Sequence, residues 1–228
     1  WHGLRDRMDE DAGRALARRI AEAGVAVDPT LLAFANLQRV AASGGAYLQR
    51  PGTDMLNPFI RQMEASMDDR WSAEDAADAT ARLDFYQRFT RMLDDAGVPL
   101  VAGSDSGIFV NIPGVSLHDE LDLLIEAGLS PETVIRAATE TAAEILGKDA
   151  ATSGIAIGER ADLILVNGDP LSDLTVMRDP ALVVAAGRLF TRSDLAALRD
   201  SAVQTDALRT QTNVFRALEA QGTSLPGG

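Results

Sequence analysis

Two periodicities organise this chain. Through residue 146, apolar positions fall mostly at helical spacing, in stretches separated by short apolar runs that end in turn residues. Beyond it, short β-rich runs and turn dipeptides take over. Residues 9–23 predict an amphipathic helix with Ala12, Leu16, Ile20 and Ala23 on one face. Gly24 stands where a left-handed C-terminal cap is expected. Residues 25–31 then read as a short strand ending at a loop that contains Pro29. Over 33–70, helical pieces centre on Leu37 and Ile60 and break at Gly44-Gly45 and Pro51-Gly52. An excursion of this kind after a strand end is where α/β folds carry a lid or substrate-shaping segment. Ser72, with Asp75 three residues on, predicts a capping box at the start of a long helix. Leu83, Tyr86, Leu93 and Ala96 give that helix its apolar face, and Gly97 ends it.

The run from Val98 to Gly103 is short, apolar and opened by a proline at its second position, and it delivers Asp105 into the loop Gly103-Ser104-Asp105-Ser106-Gly107. Such a run reads as a buried parallel strand, and the carboxyl end of such a strand is where α/β proteins assemble their sites. An aspartate there can bind a metal, move a proton, or cap the N–H groups of its own loop. Ser116 with Asp119 predicts the next helix start, with Leu117, Leu121, Leu124 and Ile125 as its stripe and Gly128 as its end. Ser130-Pro131-Glu132 begins another, with proline in the first turn, a buried face of Val134, Ala138, Ala142 and Ile145, and a stop at Gly147. Residues 154–166 read as two short strands around a tight turn, and Gly168-Asp169-Pro170 as a further turn. Leu182-Val183-Val184 and Arg188-Leu189-Phe190 around Gly187 complete a β-rich patch. A surface helix and tail over 193–221 and a disordered end at 226–228 close the chain. The expected division is therefore 1–146, 147–192 and 193–228, with no internal repeat.

Composition narrows the chemistry. The 228 residues carry 21 Lys and Arg against 34 Asp and Glu, a net charge of −13, which argues against nucleic acid or an anionic membrane as partner. There is no cysteine, so disulfides, thiolate nucleophiles and Cys-ligated zinc are excluded. The two histidines, His2 and His118, are too few for a self-contained His-rich metal site. No apolar run reaches transmembrane length and no secretory signal opens the sequence, so the expected compartment is the cytoplasm. That expectation is tempered by the first residue, Trp1 in place of Met, which suggests a piece of a longer protein. A phosphate-binding reading of the Gly-Ser-Asp-Ser-Gly loop is a weaker alternative, because residues 108–113 intervene before the next helix.

Four segments carry a resemblance: Gly24 to Leu31, Pro99 to Gly107, the helix pair from Leu117-His118-Asp119-Glu120-Leu121 to Ala137–Ala143, and Gly154 to Pro170. In this order they resemble the C-terminal part of a metal-dependent amidohydrolase, of the imidazolonepropionase/prolidase-like branch. The resemblance covers most of residues 24–190, with 33–97 contributing little. It implies an α/β fold: the C-terminal portion of a (β/α)8 TIM-like barrel followed by part of a small β-sandwich. The first two segments resemble the seventh and eighth strands, and Trp1-His2 the end of the sixth.

It further implies hydrolysis of a carbon–nitrogen bond in an amide or cyclic amide by water activated on a divalent metal, zinc foremost. Asp105 would be both metal ligand and proton shuttle, and His2 is a second candidate metal ligand, with an ordinary loop residue as the alternative. The family's His-x-His, its bridging lysine and its fifth-strand histidine have no counterpart here; they would precede Trp1, so the isolated chain is expected to be inactive. Ser104 and Ser106 are expected to orient Asp105 or its loop. Asp28 could face the pocket but is expected to cap its loop, and Arg160 and Asp162 to be structural. His118 reads as a surface or helix-packing residue, with a substrate contact as the alternative; Trp71 and Tyr86 read as core. The implied partner is a small-molecule amide substrate, and a homo-oligomer is compatible with the fold. The competing reading is a non-catalytic interaction or dimerisation module.

Overall fold

Helix α1 (Glu10–Glu22) opens at Asp9, whose carboxylate accepts the Asp11 N–H at 2.9 Å. The structure, a computed structural model, describes residues 9–44, 46–50, 52–65, 72–107, 111–147, 154–202, 204 and 206–222. Trp1, His2, Trp71 and the end at 226–228 lie outside the described residues. The buried line of α1 is Gly13 and Ala17, with Ile20 and Ala21 beside it, while Leu16 is 45% exposed. This corrects the predicted face by about one position around the helix. Small residues thus occupy the contact line of α1.

The predicted strands at 25–31 and 98–103 meet, but as one isolated parallel bridge between Val27 and Leu100. The Val27 N–H donates to the Pro99 carbonyl at 2.9 Å and the Val101 N–H to the Val27 carbonyl at 3.0 Å. Leu31 is already helical, so the first run is shorter than its apolar pattern implies. Helix α2 (Leu31–Ser43) ends at Gly44, whose φ of +57° supplies the left-handed cap. Two short 3-10 turns (Ala46–Gln49 and Thr53–Met55) and α3 (Pro58–Ala65) follow.

Helix α4 (Ala76–Asp95) is capped by Asp75, which accepts the Asp78 N–H at 2.9 Å, in place of the predicted Ser72. Tyr86 on α4 stacks on Phe34 of α2 with ring centroids 4.1 Å apart, in keeping with a core role. Helix α5 (Val115–Glu126) contributes Leu121, Leu123 and Leu124 to the main core, which they share with Leu31, Leu32, Leu93, Leu100 and Val134.

The single helix predicted after Ser130 is two: α6 (Pro131–Ala138) and α7 (Glu140–Leu146). Thr139 leaves helical geometry between them, with φ −132° and ψ −90°. Only Val134 and Ala137 are buried, while Ile145 and Leu146 are exposed.

Strands β1 (Leu163–Leu165), β2 (Leu182–Ala185) and β3 (Arg188–Thr191) form an antiparallel sheet in that order. Val183 pairs with Ile164 on one side and Phe190 on the other. The β2–β3 turn is Ala186-Gly187, both with positive φ, the geometry that matches strand twist in a two-residue hairpin. Asp162 holds this turn by accepting the Ala186 N–H at 2.6 Å and pairing with Arg160, so both residues are structural as expected. Residues 154–162 do not form the first of the two predicted strands. Ile155 and Ile157 stand fully in solvent, with no partner strand among the described residues.

Helices α8 (Arg192–Ala202) and α9 (Ala207–Ala220) replace the one surface helix predicted there. α9 packs on α3 through Phe215 against Phe59 and a 2.8 Å bond from Asn57 to Thr210. The described molecule is thus helix-rich with one small three-stranded sheet. No described helix is long and apolar enough to cross a membrane.

Candidate active site

The site begins where the two bridged segments end. Asp28 follows Val27, and its Oδ1 accepts from the Thr30 N–H at 3.1 Å, the Thr30 hydroxyl at 3.0 Å and the Gly103 N–H at 3.1 Å. Asp28 therefore caps its own loop and also fastens the end of the partner segment. Gly103 is required for that approach: a Cβ there would lie 1.9 Å from Asp28 Oδ2.

Two residues on, Asp105 is exposed and sits in the left-handed region at φ +47°. The loop around it is held from below. The hydroxyls of Ser104, Ser106 and Ser116 form a triangle with sides of 3.0, 2.8 and 3.1 Å. Ser104 and Ser106 thus brace the loop as expected. Ser116 does not cap a helix: it is fully buried, its hydroxyl belongs to this triangle, and Gly114 at φ +83° occupies the N-cap position.

Asn111 donates its side-chain N–H groups to the carbonyls of Ser104 at 2.8 Å and Asp105 at 3.2 Å. Its own carbonyl accepts from Asn36 Nδ2. The Asn36 carbonyl accepts in turn from Tyr47 Oη at 2.7 Å and Arg39 Nη1 at 2.9 Å. Asn36 and Asn111 are both buried.

On α5, the fully buried carboxylate of Glu120 accepts the Leu31 and Leu32 N–H groups. Burial pushes its carboxyl up to about 7, opposed by those two bonds and helped by the negative charge of Asp28.

Sequence reasoning missed Asn36, Asn111, Ser116 as a loop brace, and Glu120. Two of them carry a signal. Asn36 is a poor helix former set in the apolar run Leu31-Leu32-Ala33-Phe34-Ala35-Asn36-Leu37, and Glu120 lies three residues beyond Leu117 and four before Leu124, on the apolar stripe itself. A polar residue in such a place must be hydrogen-bonded within the protein.

His118 lies on α5 near Arg178, whose guanidinium bonds Asp119 at 2.9 Å and Asp122 at 2.6 Å. Burial, and then the Arg178 charge, hold its imidazole below the ordinary value. His2, the other candidate ligand, lies outside the described residues. Among the described residues no group of three or more His, Cys, Asp or Glu could hold a metal. Asp105 belongs to no such group. A shallow hollow lined by Val98, Leu100, Ser130, Thr133 and Arg136 lies toward the opposite end of the 98–103 segment, away from Asp105.

The Amidohydrolase family pattern matches residues 14–190, and this chain belongs to that family. Among solved structures it is similar to a prolidase-like protein from Bifidobacterium longum, at 30% identity and TM-score 0.52, over 78% of this chain and 39% of that one. It is similar also to a bottromycin amidohydrolase, at 29% identity and TM-score 0.60, over 81% of this chain and 41% of that one. A further amidohydrolase structure matches at 26% identity and TM-score 0.53, over 77% of this chain and 36% of the other. The chain thus spans well under half of each of these proteins. Such neighbours imply a TIM-barrel-related fold. No curated protein matches.

Proposed function

We propose that this chain belongs to an enzyme that hydrolyses a carbon–nitrogen bond in an amide or cyclic amide, with Asp105 as the proton-transfer group. The observation that carries the reading is the placement of Asp105. It follows a parallel backbone bridge, its loop is held by Asp28, Ser116 and Asn111, and its residue is left exposed. In this reading, the segments bridged at Val27 and Leu100 belong to the seventh and eighth strands of a (β/α)8 barrel, and the β1–β3 sheet is part of a small sandwich. Membership in the Amidohydrolase family and likeness to prolidase-like and amidohydrolase structures support the reaction class.

The chemistry asked of Asp105 is a two-way proton transfer. Its carboxylate takes a proton from the attacking water as the new C–O bond forms. It returns that proton to the amine as the C–N bond breaks. A divalent metal, zinc by family resemblance, would supply a water of lowered pKa when bound. Asp105 and His2 are the residues of this chain that would hold it, and among the described residues no cluster of three or more ligands completes the site. The proposed substrate is a small-molecule amide, and the net charge of −13 favours no nucleic-acid partner.

The test is Asp105→Asn in the complete protein, assayed for amine release from a panel of Xaa-Pro dipeptides, N-acyl amino acids and cyclic amides. Turnover is expected to fall by roughly 100-fold or more with the thermal melt unchanged. A near-normal rate removes Asp105 from the mechanism. If no panel member is cleaved by the unaltered protein, the non-catalytic module becomes the better reading.

A further inference from the structure

Arg39 can only donate hydrogen bonds, and this fixes the orientation of two buried amides in sequence. The Asn36 atom at 2.9 Å from its guanidinium must be the carbonyl oxygen, which also takes the Tyr47 hydroxyl at 2.7 Å. The Asn36 NH2 group is then turned toward Asn111 and meets its carbonyl. The Asn111 NH2 group is in turn directed at the carbonyls of Ser104, at 2.8 Å, and Asp105, at 3.2 Å. Donors therefore run in one direction, from the arginine on α2 to the loop that carries Asp105. Both amides are essentially inaccessible, at 0% and 1% exposure, so water does not compete for these bonds.

The two carbonyls at the end of this chain belong to the two peptide planes on either side of the Asp105 Cα. Holding both planes fixes φ and ψ at that residue, and with them the direction of its Cα–Cβ bond. Asp105 needs such a hold, since its φ of +47° is a region that non-glycine residues enter at a cost.

We propose that Asn111, oriented by Asn36, is a positioning residue that aims the Asp105 carboxylate. This rests on the reading of Asp105 as the proton-transfer group, and it adds to that reading the device that sets the group's geometry. Reversing the donor direction should misaim Asp105 without emptying the core. Asn36→Asp does this with one nearly isosteric change. The new carboxylate still accepts from Arg39 and Tyr47, but it cannot donate to Asn111. The Asn111 amide then turns to donate to the carboxylate and presents its oxygen to the Ser104 and Asp105 carbonyls, which it repels.

The experiment compares Asn36→Asp, Asn111→Ala and Asp105→Asn in the complete protein, with a cleaved Xaa-Pro dipeptide or N-acyl amino acid as substrate probe. Asn36→Asp is expected to lower kcat about 10- to 100-fold, as misplaced catalytic groups do, while KM stays within about threefold. Its melting temperature should fall by only a few degrees, because the ionised partner gained by the arginine offsets part of the two lost amide–carbonyl bonds. Asn111→Ala should give the same kcat loss; if it fails to fold, Asn36→Asp decides alone. Unchanged kcat in Asn36→Asp overturns the proposal. Asp105→Asn separates the two readings, since a full rate there defeats the role of Asp105, whatever the asparagines do. A second readout needs no substrate: the side-chain amide protons of Asn111 should exchange slowly in the unaltered chain by NMR. They should exchange faster after Asn36→Asp, and fast exchange from the start also overturns the proposal.

Discussion

The carboxylate of Glu120 accepts the backbone N–H of Leu31 at 2.9 Å, and that of the next residue at 2.6 Å. It acts as the missing cap of α2, because Thr30 at the N-cap position has φ +45° and makes no side-chain cap bond. A helix after one bridged segment thereby ends a helix after the other. Glu120→Ala leaves two buried N–H groups without partners and should cost about 3 kcal/mol, read as a lower denaturant midpoint. Glu120→Gln keeps one acceptor oxygen and should cost less.

The same carboxylate makes stability depend on pH. Its proton is held more tightly in the folded chain, with the carboxyl pushed up to about 7 from an ordinary 4.5 by burial. The folded state then binds more protons than the unfolded state between those values, so stability falls as pH rises. The contribution is complete below about pH 4.5 and lost as pH passes through about 7, a change of at most about 3 kcal/mol. Denaturant titrations at pH 5 and pH 8 should show it, and Glu120→Gln should flatten the difference. A slope of opposite sign would mean that the two backbone bonds outweigh burial.

Asp28 and Gly103 should couple strongly. Gly103→Ala drives a Cβ to 1.9 Å from the Asp28 carboxylate and should destabilise by about 1–3 kcal/mol. Asp28→Ala removes the obstacle along with a cap. If the close approach is the reason for the glycine, the double variant should be more stable than the sum of the singles predicts, by more than about 0.5 kcal/mol. Strict additivity would show that the loop relaxes around the added methyl.

Much of this frame could be read from periodicity and punctuation. Helix ends at Gly24, Gly97 and Gly128, the Ser130 cap and the Gly187 turn all follow from local residue chemistry, and all are present. What failed depends on distant partners. Strand length at 25–31 and 98–103 is set by neighbours, and the bridge at Val27 and Leu100 has no third strand beside it among the described residues. Ser116 carries the pattern of a cap, yet its hydroxyl is drawn to Ser104 and Ser106, ten and more residues away. Asp105 was conspicuous because its loop is local. Asn36, Asn111 and Glu120 were not, because the bond that joins the two asparagines spans 75 residues and the one from Leu31 to Glu120 spans 89.

His118 and Arg178 offer a titration test of the junction between α5 and the 3-10 turn Leu174–Arg178. Burial is the larger cause of the lowered imidazole value, and the guanidinium adds to it, while Asp122 and Asp119 oppose both. Arg178→Ala removes the cation and releases two carboxylates from their ion pairs. The His118 pKa should rise toward its ordinary 6.5, measured by NMR titration of the ring protons. The stability cost should be small, about 1 kcal/mol, because these pairs are partly exposed. A value that does not move would place Arg178 outside the electrostatic reach of the ring.

Metal retention tests how much of the proposed site this chain supplies. A catalytic zinc takes three protein ligands plus water. The proposed contributors here are Asp105 and His2, and the described residues hold no larger cluster. The 228-residue chain, dialysed against zinc and then against buffer, should therefore retain substoichiometric metal and show no amidase turnover. The complete protein should retain metal, and Asp105→Asn should weaken that retention. Stoichiometric zinc in the 228-residue chain would show that its own residues close the site, and Asp105→Asn in that chain would then report whether Asp105 is among the ligands.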